Sequence, residues 1–477
     1  MKKSELLRFL PVTAIFAALL VSTGFGQEDD PEPFSLTSAR SGSSLDQVEV
    51  TFEANGFLLQ TSPAPPAPTG AEGAAAVPDS PQGTEASVVE SPMSLIAAFA
   101  YNERTLLPFD TSFQYARSLR DYSRAEAAID IEGTILRPSL REDRRRVVVD
   151  VVEGRPTLFS SNGPLRGEEL DLIHINCNSL LLDRLLPVDM IQNESEWTPS
   201  PLAMNALFGL DAVSESDITA RVTSVSPTEV IFELEGTLNG VVDGAETDIE
   251  MKARCQYARA VRRITWFALV MREQRSEGFT GPGLNIGAKI EVQITPMAAQ
   301  GPLSDAAIVP ESFEPTAELT NLVYDSQTSG WSLAHGRSWT VTQDERHQAA
   351  LRLMNHGELV SQCNIVPMRS TTPEEMAALE EFQADLVEHL QSNQAQAIAA
   401  AQRENEVGYR EYRVLLDGVA QELPIRWAYY LLTDQDGRQA MLAFVVEANL
   451  LDQFGDADRE LVEGFRFTEE RLLPTPE

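Results

Sequence analysis

Basic residues are scarce. Lys and Arg number 37 against 72 Asp and Glu, a net charge of −35. Nucleic acid and anionic membrane surfaces reward basic patches, so both are disfavoured as main partners. The balance favours solubility, in surroundings where counter-ions screen the self-repulsion. Cysteine is scarcer still: Cys177, Cys255 and Cys363 are the only three. An odd count leaves at least one thiol unpaired within the chain. Cys177 and Cys255 fall in one expected domain, and an oxidising compartment permits their pairing. Cys255 and Cys363 both sit on apolar strand faces, which favours buried, inert thiols instead. Catalytic signatures are missing too. There is no G-x-S-x-G, no S-x-x-K with its usual partners, and no His at motif spacing from Cys363. Gly281-Pro282-Gly283 precedes a strand rather than a helix, so it is a turn and not a phosphate cradle. Acid clusters with EF-hand spacing are absent, and the carboxylate pairs Glu168-Glu169 and Glu374-Glu375 sit at helix starts, where acids favour the dipole.

Long apolar runs are confined to the N-terminus. Lys2, Lys3 and Arg8 precede an apolar run from Phe9 to about Val21, and Gly24 and Gly26 then flank Phe25. This pattern predicts a secretory signal over 1–26, too short for a comfortable membrane span. The mature chain then begins near Gln27 and is secreted or periplasmic; an uncleaved anchor is the alternative. Residues 27–92 are rich in Pro, Ala, Gly, Ser and acid, and predict a disordered low-complexity spacer. Within it the apolar island Val48 to Leu59 either docks as a strand or forms nothing.

The clearest structural signal is a β-meander from Ile218 to Pro296. Val230, Phe232 and Leu234 alternate with polar neighbours, and so do Ile249, Met251, Ala253, Cys255 and Tyr257. Ile264, Trp266, Ala268 and Val270 form a third run, and Ile286, Ala288, Ile290, Val292 and Ile294 a fourth. Period-two alternation puts one set on a core face and the other in water. Upstream, Ser200, Pro201 and Gly209 mark the cap, first position and stop of a short helix. Residues 93–300 therefore read as a curved antiparallel sheet with short helices on one side. Pro302, Pro310 and Pro315 mark 301–327 as a linker, and 328–470 as a second domain. There Thr372, Pro373 and Glu375 compose a capping box for a helix striped by Leu379, Phe382, Leu386 and Leu390. Gln394 to Asn405 reads as further helix, followed by strands with hairpin turns at Asp417-Gly418 and Asp436-Gly437. The fold class expected is α+β: two domains, each an antiparallel sheet with packed helices, after a signal and a disordered segment.

The last third of the chain resembles the Mog1/PsbP-like fold, an antiparallel sheet with helices on both faces. The Trp339 strand, the helix EEFQADLVEHL at 380–390 and the terminal FGDADRELVEGFRF at 454–467 carry the likeness. That family is mostly non-catalytic, and its members bind proteins or act as assembly factors, so the resemblance implies a binding role. With its segments LDLIHINCNSLLLDRLLP and QCNIVPM, the whole chain also resembles uncharacterised exported proteins of planctomycete bacteria. The first domain resembles curved-sheet lipid carriers of the LolA type in outline, without a shared motif.

The function expected is that of a non-catalytic exported protein which binds a partner protein or a hydrophobic ligand in the periplasm or cell envelope. No cofactor is called for. The alternative is an exported hydrolase with a carboxylate or metal site, whose weak candidate ligands are His335, His347 and His356, near Asp344 and Glu345. Their irregular gaps do not match metal-ligand spacing, so no metal is expected. The candidates for ligand binding are Trp266, as a stacking surface, and Arg144 and Arg145 in the basic tract 141–146, as an anion site; a core residue and a solvated hairpin tip are the plain readings.

Overall fold

The structure, a computed structural model, describes residues 32–62, 87–109, 114–279, 281–298, 301–308, 313–326, 328–355, 357–372 and 377–468. The expected signal peptide lies outside these residues, as do His356 and the Pro373 and Glu375 of the expected capping box.

The fold is mostly β, with 56% of it strand and 15% helix, which overturns the expected α+β class. One sheet has 13 strands. Its order runs Arg155–Ser160, Arg146–Val152, Tyr115–Ile131, Ser87–Leu107, Leu45–Ser62, Gly283–Pro296, Arg263–Arg275, Ala245–Ala258, Glu229–Val242, Thr219–Val225 and Glu196–Trp197. The meander occupies the second half, with the expected alternation: Val230, Phe232, Cys255, Met251, Ile290 and Val292 are all buried. The third run departs from the pattern. The ladder slips between Gln256 and Tyr257, so that Gln256 faces Trp266 while Tyr257 faces Ile264. This bulge turns Ile264 and Phe267 both inward and leaves Trp266 half-buried on the outer face.

The largest correction concerns 27–92. The island Val48 to Leu59 lies in an 18-residue strand, Leu45–Ser62, that pairs along the last meander strand. Val48 meets Ile294 and Val50 meets Val292, which closes an otherwise open hydrogen-bonding edge. A ready-made edge supplies the ladder that a short apolar island lacks on its own.

The buried face of the large sheet is covered by the chain's own segment 165–210. The helices Gly167–Ile173 and Pro201–Phe208 and a single turn at Leu182–Leu185 bury Leu172, Leu180, Leu181, Leu182, Met204 and Leu207 against the sheet. Ser200 caps the second helix by accepting from the Ala203 N–H at 3.2 Å, and Gly209 ends it in the left-handed region at φ 65°.

A seven-stranded sheet follows, in the order Trp339–Glu345, Gln348–Asn355, Glu358–Met368, Gln439–Glu447, Leu423–Thr433, Arg410–Ala420 and Gln396–Glu404. One face packs on Leu461 and Val462 of the helix Ala457–Glu463, the other on Leu386 of the helix Leu379–His389. The latter helix starts at Leu379, after Ala378, and not at Thr372. Gln396–Glu404 is an edge strand where helix was expected. Asp417 and Gly418 lie inside a strand, and the turn is at Gln421 and Glu422, both at positive φ. Gly418 serves close approach instead: a Cβ there would stand 2.7 Å from the Asn393 carbonyl oxygen.

The stretch 301–327, expected to be a linker, is docked. Leu303 and Ile308 bury against Leu119, Val148 and Phe159 of the large sheet. Its strand Leu322–Asp325 pairs in parallel with Leu165–Arg166 and antiparallel with Trp331–His335, which in turn pairs with Phe465–Phe467. This small sheet stitches the two larger ones together, so they are not the separately linked bodies the sequence suggested.

Candidate functional site

Where the two large sheets face each other, a cleft of about 900 Å³ opens. Its walls are set by backbone pins. Arg337 donates from Nε to the Thr320 carbonyl at 2.7 Å and from Nη2 to the Leu158 carbonyl. Burial pushes its pKa down to about 10. Arg166 reaches Asp325 at 2.8 Å. Opposite, the hairpin tip at Asp243 and Gly244 touches the tip at Gly357. A Cβ on Gly244 would stand 2.6 Å from the Gly357 carbonyl oxygen, and both glycines hold φ near 80°. Only glycine combines that conformation with such backbone contact.

The cleft is acidic on one side. Asp171, Asp211 and Asp243 all line it. Asp171 comes from the helix Gly167–Ile173, whose start is fixed by the Arg166 N–H bonding Glu169 at 2.9 Å, while Arg141 grips Glu169 with two bonds of 2.7 Å. Among the described residues the Asp171 carboxylate has no hydrogen bond or ion pair. Partial loss of solvent pushes its pKa up, and the charges of Asp243 and Glu168 add to this. The Asp243 carboxyl is likewise raised, by burial and then by Asp211, against the opposing pull of Arg275 and His174. Burial and Arg337 lower His174, against the pull of Asp243. The cleft arginines give their hydrogen bonds elsewhere: Arg155 and Arg337 to carbonyl oxygens and Arg166 to Asp325.

His335 and Trp339 stand on the other wall, 5% exposed each. The His335 Nδ1–H donates to the Gly336 carbonyl at 3.0 Å, in the tautomer consistent with that bond, which leaves Nε2 as an acceptor without a partner among the described residues. Burial lowers its pKa, so the ring is held neutral.

The candidates read from sequence do not come together. His335 is in the cleft, His347 is exposed at a hairpin, and His356 lies outside the described residues. Asp344 is engaged by the Tyr324 hydroxyl at 2.8 Å and by Ser326 and Thr328. Among the described residues no group of three or more His, Cys, Asp or Glu could hold a metal. Trp266 donates to Glu291 at 3.1 Å on the convex face. Arg144 is a pin, bonding the Pro164 carbonyl at 3.1 Å and Asp143 at 2.7 Å, and Arg145 pairs loosely with Glu142 at 4.0 Å. All three cysteines are free and buried, and burial pushes each thiol up. The acids of the cleft escaped the sequence reading. Only Asp243-Gly244 carried a local signal, and that signal is a turn.

A second polar cluster lies between the large sheet and the segments packed on its buried face. Glu103, fully buried, accepts from Arg120 Nε at 2.8 Å, Ser118 at 3.0 Å and Ser179 at 2.8 Å, and lies 3.5 Å from Arg40. Asp46 is held by Arg263 at 2.7 Å, and Asp183 takes Ser38 at 2.7 Å and Arg40 at 3.1 Å. These bonds fasten the segments 36–44 and 178–183 to the sheet. The carboxylates are spent on arginines, which is a structural arrangement.

No protein-family model matches the chain, and no curated protein does. Part of it is similar to solved structures. Cyanobacterial PsbP (CyanoP) from Synechocystis sp. PCC 6803 matches at 13% identity over 35% of this chain and 99% of its own, with a TM-score of 0.26. The Ran-binding protein Mog1p of Saccharomyces cerevisiae matches at 10% over 31% of this chain and 95% of its own, with a TM-score of 0.25. A Pseudomonas aeruginosa protein of unknown function, described as a putative regulator, matches at 11% over 33% of this chain and 99% of its own, at 0.21. Each likeness covers about a third of this chain, and likeness at this level says nothing of what the chain binds. Among the described residues no helix is long and apolar enough to cross a membrane, which does not bear on crossing by strands.

Proposed function

We propose that this is an exported, non-catalytic binding protein of the periplasm or cell envelope, and that a partner protein docks in the cleft between the two large sheets. The observation that carries the reading is the pairing of a roughly 900 Å³ cleft with a buried sheet face that the chain itself already covers. The face that would hold a hydrophobic ligand is occupied by 165–210, whereas the cleft presents polar groups without partners. The charge of −35 suits a partner with a basic surface.

The test is site-specific photo-crosslinking in envelope-containing cells. A crosslinker replaces Ser338, in the cleft, or Glu53, exposed on the large sheet. One discrete protein adduct from Ser338 and none from Glu53 is expected, and fractionation should place the chain outside the cytoplasm. Adducts equal at both positions, or none from the cleft, refute the reading.

A further inference from the structure

The seven-stranded sheet leaves one edge open. Gln396–Glu404 ends its order and, among the described residues, pairs only with Arg410–Ala420. Apart from half-buried Ala397, every residue of this strand is exposed, Ile398 at 48% among them. Residues 396–402 carry no charge, and Arg403 is neutralised by Glu411 through bonds of 2.7 and 3.1 Å. No Pro or Lys interrupts the strand. Natural sheet edges are guarded by charge, bulges, shortness or cover, and the other ends of the two large sheets are. The 13-stranded sheet ends on one side in the two-residue strand Glu196–Trp197, and on the other in Arg155–Ser160, whose Leu158 carbonyl is taken by Arg337. Trp339–Glu345, the far edge of the seven-stranded sheet, has a bulge at its middle and finishes in Asp344 and Glu345. The bulge of Gln396–Glu404 lies near its start, between Ala397 and Ala399, and leaves Ala399 to Glu404 in regular register.

The existing ladder fixes which backbone groups face outward. The Asn405 N–H bonds the Tyr409 carbonyl at 2.9 Å, in register with Glu404 opposite Arg410. Alternation along an antiparallel pair then turns the N–H and C=O of Ala399, Ala401 and Arg403 toward Arg410–Ala420, and those of Ala400, Gln402 and Glu404 toward the open edge. Alanine fits strands poorly, and a strand with both faces in water gains little from burial. A second ladder would supply what it lacks, and an antiparallel copy of the same strand offers one. Centred on Ala401, Ala400 of one copy exchanges hydrogen bonds with Gln402 of the other. Ala399 then faces Arg403, and no like charges oppose. The net charge of −35 disfavours broad contact between copies, but this strand carries a single acid, Glu404, at its end. We propose that the chain forms a two-fold dimer by antiparallel pairing of Gln396–Glu404 with the same strand of a second copy, which joins two seven-stranded sheets into one. The dimer is independent of any partner docked in the cleft.

The test is sedimentation velocity of the full chain, joined to crosslinking that reads the register. A concentration-dependent dimer is expected. In the proposed register the two copies of Ala401 form a non-hydrogen-bonded pair with Cα atoms about 4.5 Å apart, within reach of a disulfide. Ala401→Cys should therefore link two chains under mild oxidation. Ala399→Cys should not, because its two copies stand four residues apart along the ladder, about 13 Å. The native cysteines are buried and free and do not compete. Ala400→Glu/Gln402→Glu sets acid against acid and should weaken the dimer about tenfold, as should Ala400→Lys/Gln402→Lys; mixing the two variants should restore a dimer. Both positions are exposed, and an unchanged circular dichroism spectrum would establish that the fold is kept. A chain that stays monomeric at every concentration, a dimer untouched by the acidic variant, or equal linking by Ala399→Cys and Ala401→Cys overturns the proposal. A photo-crosslinker in place of Ala401 in cells should give an adduct of twice the chain's mass. An adduct of another mass assigns the edge to a different protein and overturns the second copy.

Discussion

Glu103→Gln is the sharpest probe of what fastens the covering segments to the large sheet. Glu103 has no exposed surface. Burial alone would raise its pKa, yet Arg120 and Arg40, with the hydrogen bonds from Arg120 and Ser179, outweigh burial and hold it below the usual carboxylate range. The charged form is therefore the one the fold stabilises. Replacing it by the neutral amide leaves the Arg120 and Arg40 guanidinium groups, both buried, short of a counter-charge. Breaking a buried pair from one side costs about 3–5 kcal/mol. For a chain of 477 residues melting as one unit, at about 2.1 cal/mol/K of unfolding entropy per residue, that corresponds to a fall of roughly 3–5 °C in melting temperature. The sign with pH follows from linkage. A carboxyl whose folded pKa is depressed contributes stability that is present above its unfolded pKa and is lost as pH falls through the folded one. The gap between wild type and Glu103→Gln should thus be full at pH 7 and close in acid. Asp46 works the other way: burial, outweighing Arg40 and Arg263, raises it to about 6, so its protonation favours the fold as pH drops below that value. Comparing the two proteins at each pH cancels this shared contribution. The assay is calorimetric melting from pH 7 downward. A loss under about 1 kcal/mol at pH 7, or a gap that persists in acid, refutes the reasoning.

Other expectations are more local. Gly357→Val should force the two hairpin tips apart, because a Cβ there would clash with the Gly244 Cα; amide exchange should quicken at both tips and leave the rest of the meander unchanged. Asp458→Asn strips the carboxylate that Tyr430 bonds at 2.6 Å and Arg413 at 2.8 Å, and should destabilise the C-terminal helix by about 2–4 kcal/mol, read by urea unfolding. The native protein should show no thiol reactive to Ellman's reagent, and all three should react in denaturant. His335 has a lowered pKa, so its contribution is full above the ordinary histidine value and is lost as pH falls below it; His335→Gln should flatten that part of the stability profile.

The meander was legible because alternation over four strands leaves one solution for which side faces in. The strand Gln396–Glu404 was not. Its run of alanines has high helix propensity, and nothing local says that Arg410–Ala420 offers it a ladder; pairing overrides propensity when an edge is available. The turn at Gln421 and Glu422 was missed for a related reason. Both residues sit at positive φ without glycine, while the more turn-like Asp417-Gly418 is needed inside the strand for contact with Asn393. The low-complexity composition around the Val48 island concealed a strand whose stability comes from its partner. The cleft was invisible because Asp171, Asp211 and Asp243 share no motif; a strand pairing and a glycine contact bring them together.

The covered face of the large sheet constrains function quantitatively. Leu172, Ile173, Leu180, Leu181, Leu182, Leu185, Leu207 and Phe208 are each at most 6% exposed against the sheet. At about 1.5–3 kcal/mol for each buried side chain, expelling these eight would cost roughly 12–24 kcal/mol, an upper estimate. A hydrophobic ligand taking their place would have to recover that sum before any net affinity appeared. Nanomolar binding supplies only about 12 kcal/mol in total. Glu103, Asp46 and Asp183 add ionic fastenings to the same segment. The sheet therefore acts as a rigid cradle for its own chain. The cleft carries no such cost, and the Asp171 carboxylate in it has no hydrogen bond or ion pair among the described residues.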